Sequence, residues 1–105
     1  MSKFVDLDEQ SFEQLVGEES LTVVDFWAKW CGPCRMIAPI LEQVSVGYPE
    51  VNFGKVNVDE AEKLAVRYEI SSIPNICFFK KGVLVDREIG VCSASDLKKI
   101  IDKNK

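Results

Sequence analysis

The sequence contains no histidine. That absence removes Ser-His-Asp and Cys-His nucleophile pairs, His-Glu-X-X-His zinc sites and imidazole general bases together. Any chemistry must therefore use Cys, Asp, Glu, Lys or Tyr. Phosphate-binding glycine patterns are missing too. No Gly-X-Gly-X-X-Gly occurs, and the Gly54-Lys55 pair has Val56 where a P-loop needs Ser or Thr and Pro49 where it needs Gly. Positive charge is scarce: 13 Lys and Arg against 17 Asp and Glu leave a net charge of −4. The one basic cluster is the tail Lys98, Lys99, Lys103 and Lys105, which suits the negative end of a last helix better than a nucleic acid. Long apolar runs are also lacking. Leu21 to Ala28 is broken by Asp25 and is too short to span a bilayer, and the start Met1-Ser2-Lys3-Phe4-Val5-Asp6 has no apolar signal core. The expectation is a soluble, cytoplasmic protein that binds neither membrane nor nucleic acid.

What is present is an ordinary globular composition, 47% hydrophobic and 29% charged over 105 residues, read as one domain spanning 1–105. Area scaling gives roughly 5,900 Å² of folded surface against roughly 17,000 Å² unfolded, enough burial for one core. Helix and strand patterns alternate. After an apolar lead at Phe4 to Leu7, Asp8 caps a helix carrying Phe12, Leu15 and Val16, stopped by Gly17. Leu21 to Trp27 is nearly continuous, β-branched and aromatic, the mark of a strand covered on both faces. A helix from about Cys34 carries Ile37, Ile40, Leu41 and Val44 on one stripe, with Pro39 predicted to kink it.

Val51 to Val58 reads as the next strand, and Asp59 with Glu62 as the opening of a helix bearing Ala61, Leu64, Ala65 and Tyr68. Lys81-Gly82 separates the strands Ile76 to Lys80 and Val83 to Ile89, a spacing that permits only an antiparallel hairpin. Ser93 with Asp96 caps a closing helix bearing Leu97, Ile100 and Ile101. This order predicts an α/β fold: a central mixed sheet of four to five strands with helices on both faces.

Four cysteines without a signal peptide point to catalytic or metal-bound thiols rather than structural bridges. Two of them form Trp30-Cys31-Gly32-Pro33-Cys34, at the junction of the central strand and its following helix, where α/β sheets place ligand chemistry. Residues three apart in a helical turn have Cα atoms about 5 Å apart, inside the disulfide window. Cys31 falls at the helix start, where free N–H groups and the helix dipole stabilise a thiolate. Cys34, one turn in, is shielded and suited to resolving an intermediate, and Pro33 fits a first turn that needs no N–H from it. A Cys₄ metal site lacks its second tight pair, because Cys77 and Cys92 are fifteen apart on different elements. No metal and no bound cofactor are expected. Cys77 alternates into a core strand as an inert small hydrophobe. Cys92, two residues past Gly90, is either ordinary or an oxidation-prone thiol near the site. Asp25 within an apolar strand is either a strand-end carboxylate reaching solvent or a buried acid whose pKa burial raises.

Strand, Cys-Gly-Pro-Cys, helix resembles the thioredoxin family over essentially the whole length. Further matches are Asp25-Phe26-Trp27-Ala28, Pro39, Lys55, Ile73-Pro74, Gly82 and Gly90. The resemblance implies the thioredoxin fold and a dithiol–disulfide oxidoreductase that reduces protein disulfides through a reversible Cys31-Cys34 disulfide. In that family pattern Cys31 is the nucleophile, Cys34 resolves, Asp25 passes protons to and from Cys34, and Lys55 tunes Asp25. The resemblance further implies a cis Ile73-Pro74 bond that lets the Ile73 backbone pair with an extended substrate. Trp30, Gly32, Pro33, Ile73, Pro74, Gly90 and Val91 would form the docking surface, whereas Trp27 is read as core. The implied partners are disulfide-containing target proteins and a flavoprotein thioredoxin reductase, with the chain acting as a monomer. Asn75 stands where Thr is usual after the proline, and Val91-Cys92 replaces a small residue after the glycine, departures that bear on substrate preference. Two other classes remain open. A disulfide oxidase or isomerase would use the same cysteines, although such relatives typically place a His between them, and a redox-silent scaffold would use the fold only as a surface.

Overall fold

In the computed structural model, which describes residues 3–105, the strand covered on both faces lies at the centre of the sheet. Five strands are ordered β1-β3-β2-β4-β5: β1 Val5–Asp6, β2 Thr22–Trp27, β3 Asn52–Asn57, β4 Asn75–Lys80 and β5 Val83–Ile89. β1, β3 and β2 run parallel, while β4 is antiparallel to both β2 and β5, giving the mixed sheet that the element order implies. The helices are α1 Glu9–Val16, α2 Gly32–Val46, α3 Glu62–Arg67 and α4 Ala94–Asn104. None of the described helices is long and apolar enough to cross a membrane.

Alternation along the strands divides the core in two. Val23, Phe53, Ile76 and Phe78 face α2 and α4, packing with Ile37, Leu41, Val44, Leu97 and Ile101. Val24, Phe26, Val56, Cys77 and Phe79 face α1 and α3, packing with Phe12, Val16 and Leu64. Covering both faces of β2 is what makes its sequence continuous rather than alternating. The total accessible surface is 5878 Å², the value that size scaling gives.

Local signals fix several ends. Asp8 and Ser93 each accept the N–H three residues on and complete capping boxes with Ser11 and Asp96. Lys81 and Gly82 both have positive φ, 54° and 82°, as a two-residue turn matched to strand twist requires. The hairpin tip is pinned from the other side by bonds from its N–H groups to Glu18 O and Val16 O. Two boundaries differ from expectation. α2 begins at Gly32 rather than near Cys34, and Pro39 lies inside it. α3 begins at Glu62 with Ala61, which has no side-chain acceptor, at its N-cap, while the Asp59 carboxylate two residues earlier accepts the Trp30 indole N–H.

Phe12 is fully buried and lies 5.4 to 6.4 Å, centroid to centroid, from the rings of Phe26, Tyr68 and Phe79. It stands on the sheet face away from α2. Phe12→Ala is expected to lower unfolding stability by about 3–5 kcal/mol, read as a shifted urea midpoint with an unchanged slope, while the folded fraction keeps its rate of disulfide exchange.

Candidate active site

The C-terminal end of β2 delivers the chain to the start of α2, and Cys31 occupies the N-cap with extended backbone (φ −87°, ψ 108°). Its sulfur accepts the Cys34 backbone N–H at 3.1 Å, a donor that has no partner inside the helix. Gly32 and Pro33 fill the first turn, where the missing proline N–H is not needed. The Cys31 and Cys34 Cα atoms are 5.3 Å apart and the two sulfurs are joined in a disulfide. Both cysteines are only 4% exposed, packed with Ala28 against Trp27, Val58 and Ile73. Residue exposure therefore does not separate the two cysteines, contrary to the expectation that only Cys34 is shielded. What separates them is the N-cap bond, which Cys31 alone receives.

Three chain segments meet around Cys31. Its sulfur lies 3.7 Å from the Ile73 carbonyl oxygen, and the Ile73-Pro74 bond is cis. Gly90, at φ 86°, donates its N–H to Pro74 O at 2.9 Å, which sets the Gly90-Val91 backbone beside the proline loop. Trp30 is 69% exposed, and its indole N–H donates to Asp59 Oδ2 at 2.9 Å. Asp59 read as a helix cap in the sequence; its carboxylate instead orients the exposed indole, a role that only tertiary proximity reveals.

Asp25 is 6% exposed and shares a cavity of about 280 Å³ with Trp27, Cys34 and Lys55. Of the two readings open from sequence, the buried acid is the one found. Burial raises its carboxyl from 3.8 and the positive charge of Lys55 pulls it part of the way back, leaving it at about 7. Lys55 is the β3 residue paired with Asp25, so both side chains share a sheet face. Its ammonium is 3.8 Å from Asp6 and 5.4 Å from the Trp27 ring centroid, acting on Asp25 through space rather than by a direct bridge. Trp27 is half-buried and lines this cavity instead of sitting in the core. Its buried indole N–H and Asp25 Oδ1 have no hydrogen-bond partner among the described residues. The remaining thiols are unlike Cys31. Burial pushes Cys77 up to about 11, and burial together with Glu88 and Asp96 pushes the half-buried Cys92 to about 11. Neither is poised as a thiolate near neutral pH.

The Thioredoxin family profile matches residues 3–103. The chain belongs to the thioredoxin family. It is 40% identical to the thioredoxin of Buchnera aphidicola subsp. Acyrthosiphon pisum (strain APS) over 106 residues, covering 99% of this chain and 98% of the relative. It is 42% identical to the thioredoxin of Chlamydia pneumoniae over 98 residues, 93% of this chain and 95% of that protein. The X-ray structure of Fasciola hepatica thioredoxin superposes with a TM-score of 0.90 at 39% identity, over 97% of this chain and 100% of that one. Plasmodium falciparum thioredoxin superposes at 0.88 with 35% identity, over 96% and 99%. The five-stranded mixed sheet with its four helices is thus the thioredoxin fold. With the Cys31-Cys34 pair at disulfide distance, this member of the family is a dithiol–disulfide oxidoreductase that acts on protein disulfides.

The Asp25 carboxyl makes folding stability depend on pH. Between 3.8 and about 7 the folded protein holds a proton that the unfolded chain has released, so stability falls as pH rises through that window. Fully developed above pH 7, the loss is about 4 kcal/mol. Asp25→Asn removes it. Urea unfolding of the disulfide form is expected to show wild type and variant converging near pH 4, with the variant more stable by up to that amount at pH 8. A gap that stays constant from pH 4 to 8 would mean that the carboxyl is solvated.

Proposed function

We propose that the protein is a general reductant of protein disulfides in which Cys31 attacks and Cys34 resolves. The observation carrying this assignment is the 3.1 Å bond from the Cys34 N–H to the Cys31 sulfur at the N-cap of a 15-residue helix. An N–H donor and the positive end of the helix dipole both favour the anionic form of that sulfur. In the dithiol state the Cys31 thiolate attacks one sulfur of the target disulfide. The target S–S bond breaks, a Cys31–target disulfide forms, and the departing target sulfur takes up a proton. Cys34 then attacks the Cys31 sulfur. Its proton passes to Asp25, which shares its cavity and has a pKa of about 7, suited to both accepting and returning a proton near neutrality. The mixed disulfide breaks, the second target thiol leaves, and Cys31-Cys34 is oxidised by two electrons.

Lys55 keeps the Asp25 carboxyl from rising further. The target docks on Trp30, Gly32, Pro33, Ile73, Pro74, Gly90 and Val91. Support for this docking comes from the exposed indole, the open Gly32-Pro33 turn and the Ile73 carbonyl 3.7 Å from the attacking sulfur, where an extended target strand pairs by backbone bonds. A flavoprotein thioredoxin reductase returns the dithiol form, and the chain works as a cytoplasmic monomer without a bound cofactor.

The division between the sulfurs is tested by trapping. Cys34→Ser is expected to accumulate target adducts from cell extract that dithiothreitol releases, because a serine oxygen does not displace a sulfur partner at neutral pH. Cys31→Ser is expected to trap nothing. Equal trapping by the two, seen on non-reducing gels, moves the nucleophile elsewhere. A reduction potential in the oxidising range of disulfide oxidases would reverse the direction of electron flow.

A further inference from the structure

Directly after Pro74 stands Asn75, 1% exposed and therefore obliged to satisfy its amide internally. Its Nδ2 donates to Ser72 O at 3.3 Å, reaching back across Ile73-Pro74. Its Oδ1 receives two donors, Arg87 Nη1 at 3.4 Å and the Cys77 thiol at 3.5 Å. The thiol keeps its proton at neutral pH because burial raises its pKa to about 11. Two donors on one side and a carbonyl on the other leave the amide a single satisfied orientation. The same guanidinium sends Nη2 to Tyr68 O at 2.8 Å, the carbonyl at the C-cap of α3. Arg87 lies on β5, where it pairs with Cys77, so the fork is anchored in the sheet.

The segment from Glu69 to Pro74 connects α3 to β4 and carries Ile73 to the disulfide. Arg87 grips it at both ends, at Tyr68 O directly and at Ser72 O through the Asn75 amide. Both acceptors of the guanidinium are neutral carbonyl oxygens in a planar fork, a geometry that a lysine ammonium cannot reproduce. The Gly90 N–H to Pro74 O bond closes the far side.

We propose that Arg87 and Asn75 are positioning residues that hold the Ile73 backbone at the height required for docking protein disulfides. They touch neither sulfur and act through the loop alone. This rests on the docking reading given above. A small aromatic disulfide needs only access to the Cys31 sulfur, whereas a protein chain needs the Ile73 backbone as well. Loosening the loop should therefore weaken recognition of one and not the chemistry of either.

The experiment compares steady-state reduction of insulin, dithiothreitol supplying electrons to the full-length protein, with single-turnover reduction of 5,5′-dithiobis(2-nitrobenzoate) by the same protein reduced beforehand and freed of dithiothreitol. Arg87→Lys keeps the charge and loses the fork, and Asn75→Thr keeps a strand-compatible polar residue and loses the reach to Ser72. Each is expected to raise KM for insulin about fivefold, the factor of one hydrogen bond's net contribution, with kcat and the small-disulfide rate within about twofold of wild type. Combining the two should give little further rise, because both remove the same link. An equal loss on both substrates, or a loss in kcat alone, shows a general structural role and overturns the proposal. Unchanged KM in both variants overturns it too. Wild-type protein that reduces neither substrate refutes the disulfide-reductase reading itself, an outcome that the variants cannot mimic. Should Arg87→Lys not fold, Asn75→Thr alone carries the comparison.

Discussion

A helix of α2's length begins with backbone N–H groups that have no partner within it, and something outside must accept them. Here one of the acceptors is a sulfur: the Cys34 N–H meets Cys31 Sγ at 3.1 Å. This bond costs the helix nothing, since that donor is free in any helix. It places the sulfur where negative charge is stabilised by the same peptide dipoles that make the helix. The requirement propagates outward. Cys31 must be the N-cap, so β2 must end just before it, and Pro33 is tolerated because it lies in the first turn. The placement of the reactive group and the start of α2 are one structural fact.

Asp25 imposes the opposite constraint. A carboxyl whose pKa stands near 7 destabilises the fold at neutral pH, and an asparagine of the same shape would not. The surrounding structure tolerates it because two large apolar clusters flank β2, one on each face. The parallel register also sets Lys55 opposite it, which limits the rise without forming a tight pair that would fix the carboxyl as an anion. An acid held near 7 exchanges protons in both directions at neutral pH; one bridged directly by the lysine would not.

Features whose cause is local were legible in the sequence. The Asp8 and Ser93 caps, the Lys81-Gly82 turn and the unbroken apolar β2 each rest on bonds or faces within a few residues, and each lies where the pattern puts it. The cysteine pair was legible for the same reason, because one helical turn sets its spacing. Asp59 was misread because a carboxylate before a helix has a local use, capping, whereas α3 starts later, at Glu62, and the carboxylate meets an indole from a distant segment. The matching exposure of Cys31 and Cys34 depends on Trp27, Val58 and Ile73, which arrive from other segments. Burial of Asp25 was undecidable from an alternation argument, since only the depth of the α2 side settles whether a strand-end carboxylate reaches water. The Asn75 and Arg87 contacts were not legible even though the hairpin was, because a register shift between Phe78 and Phe79 sets which residues face each other and their partners Tyr68 and Ser72 come from another segment.

The site therefore divides by the kind of interaction that builds it. The reacting sulfurs sit on one contiguous segment, and their geometry follows from helix dimensions that any side-chain change outside it leaves alone. The ground on which a target strand would lie comes from three segments, 30–34, 73–74 and 90–91, held together by the sheet and by backbone bonds such as Gly90 N–H to Pro74 O. Backbone bonds tolerate substitution of the side chains beside them, so Val91 and Cys92 can differ from the family pattern while the loop-to-sulfur distance stays short. Chemistry and recognition thus meet in segment 30–34 and at the Ile73 carbonyl, so changes confined to the other two segments can alter what is recognised while the disulfide exchange at the helix end stays the same.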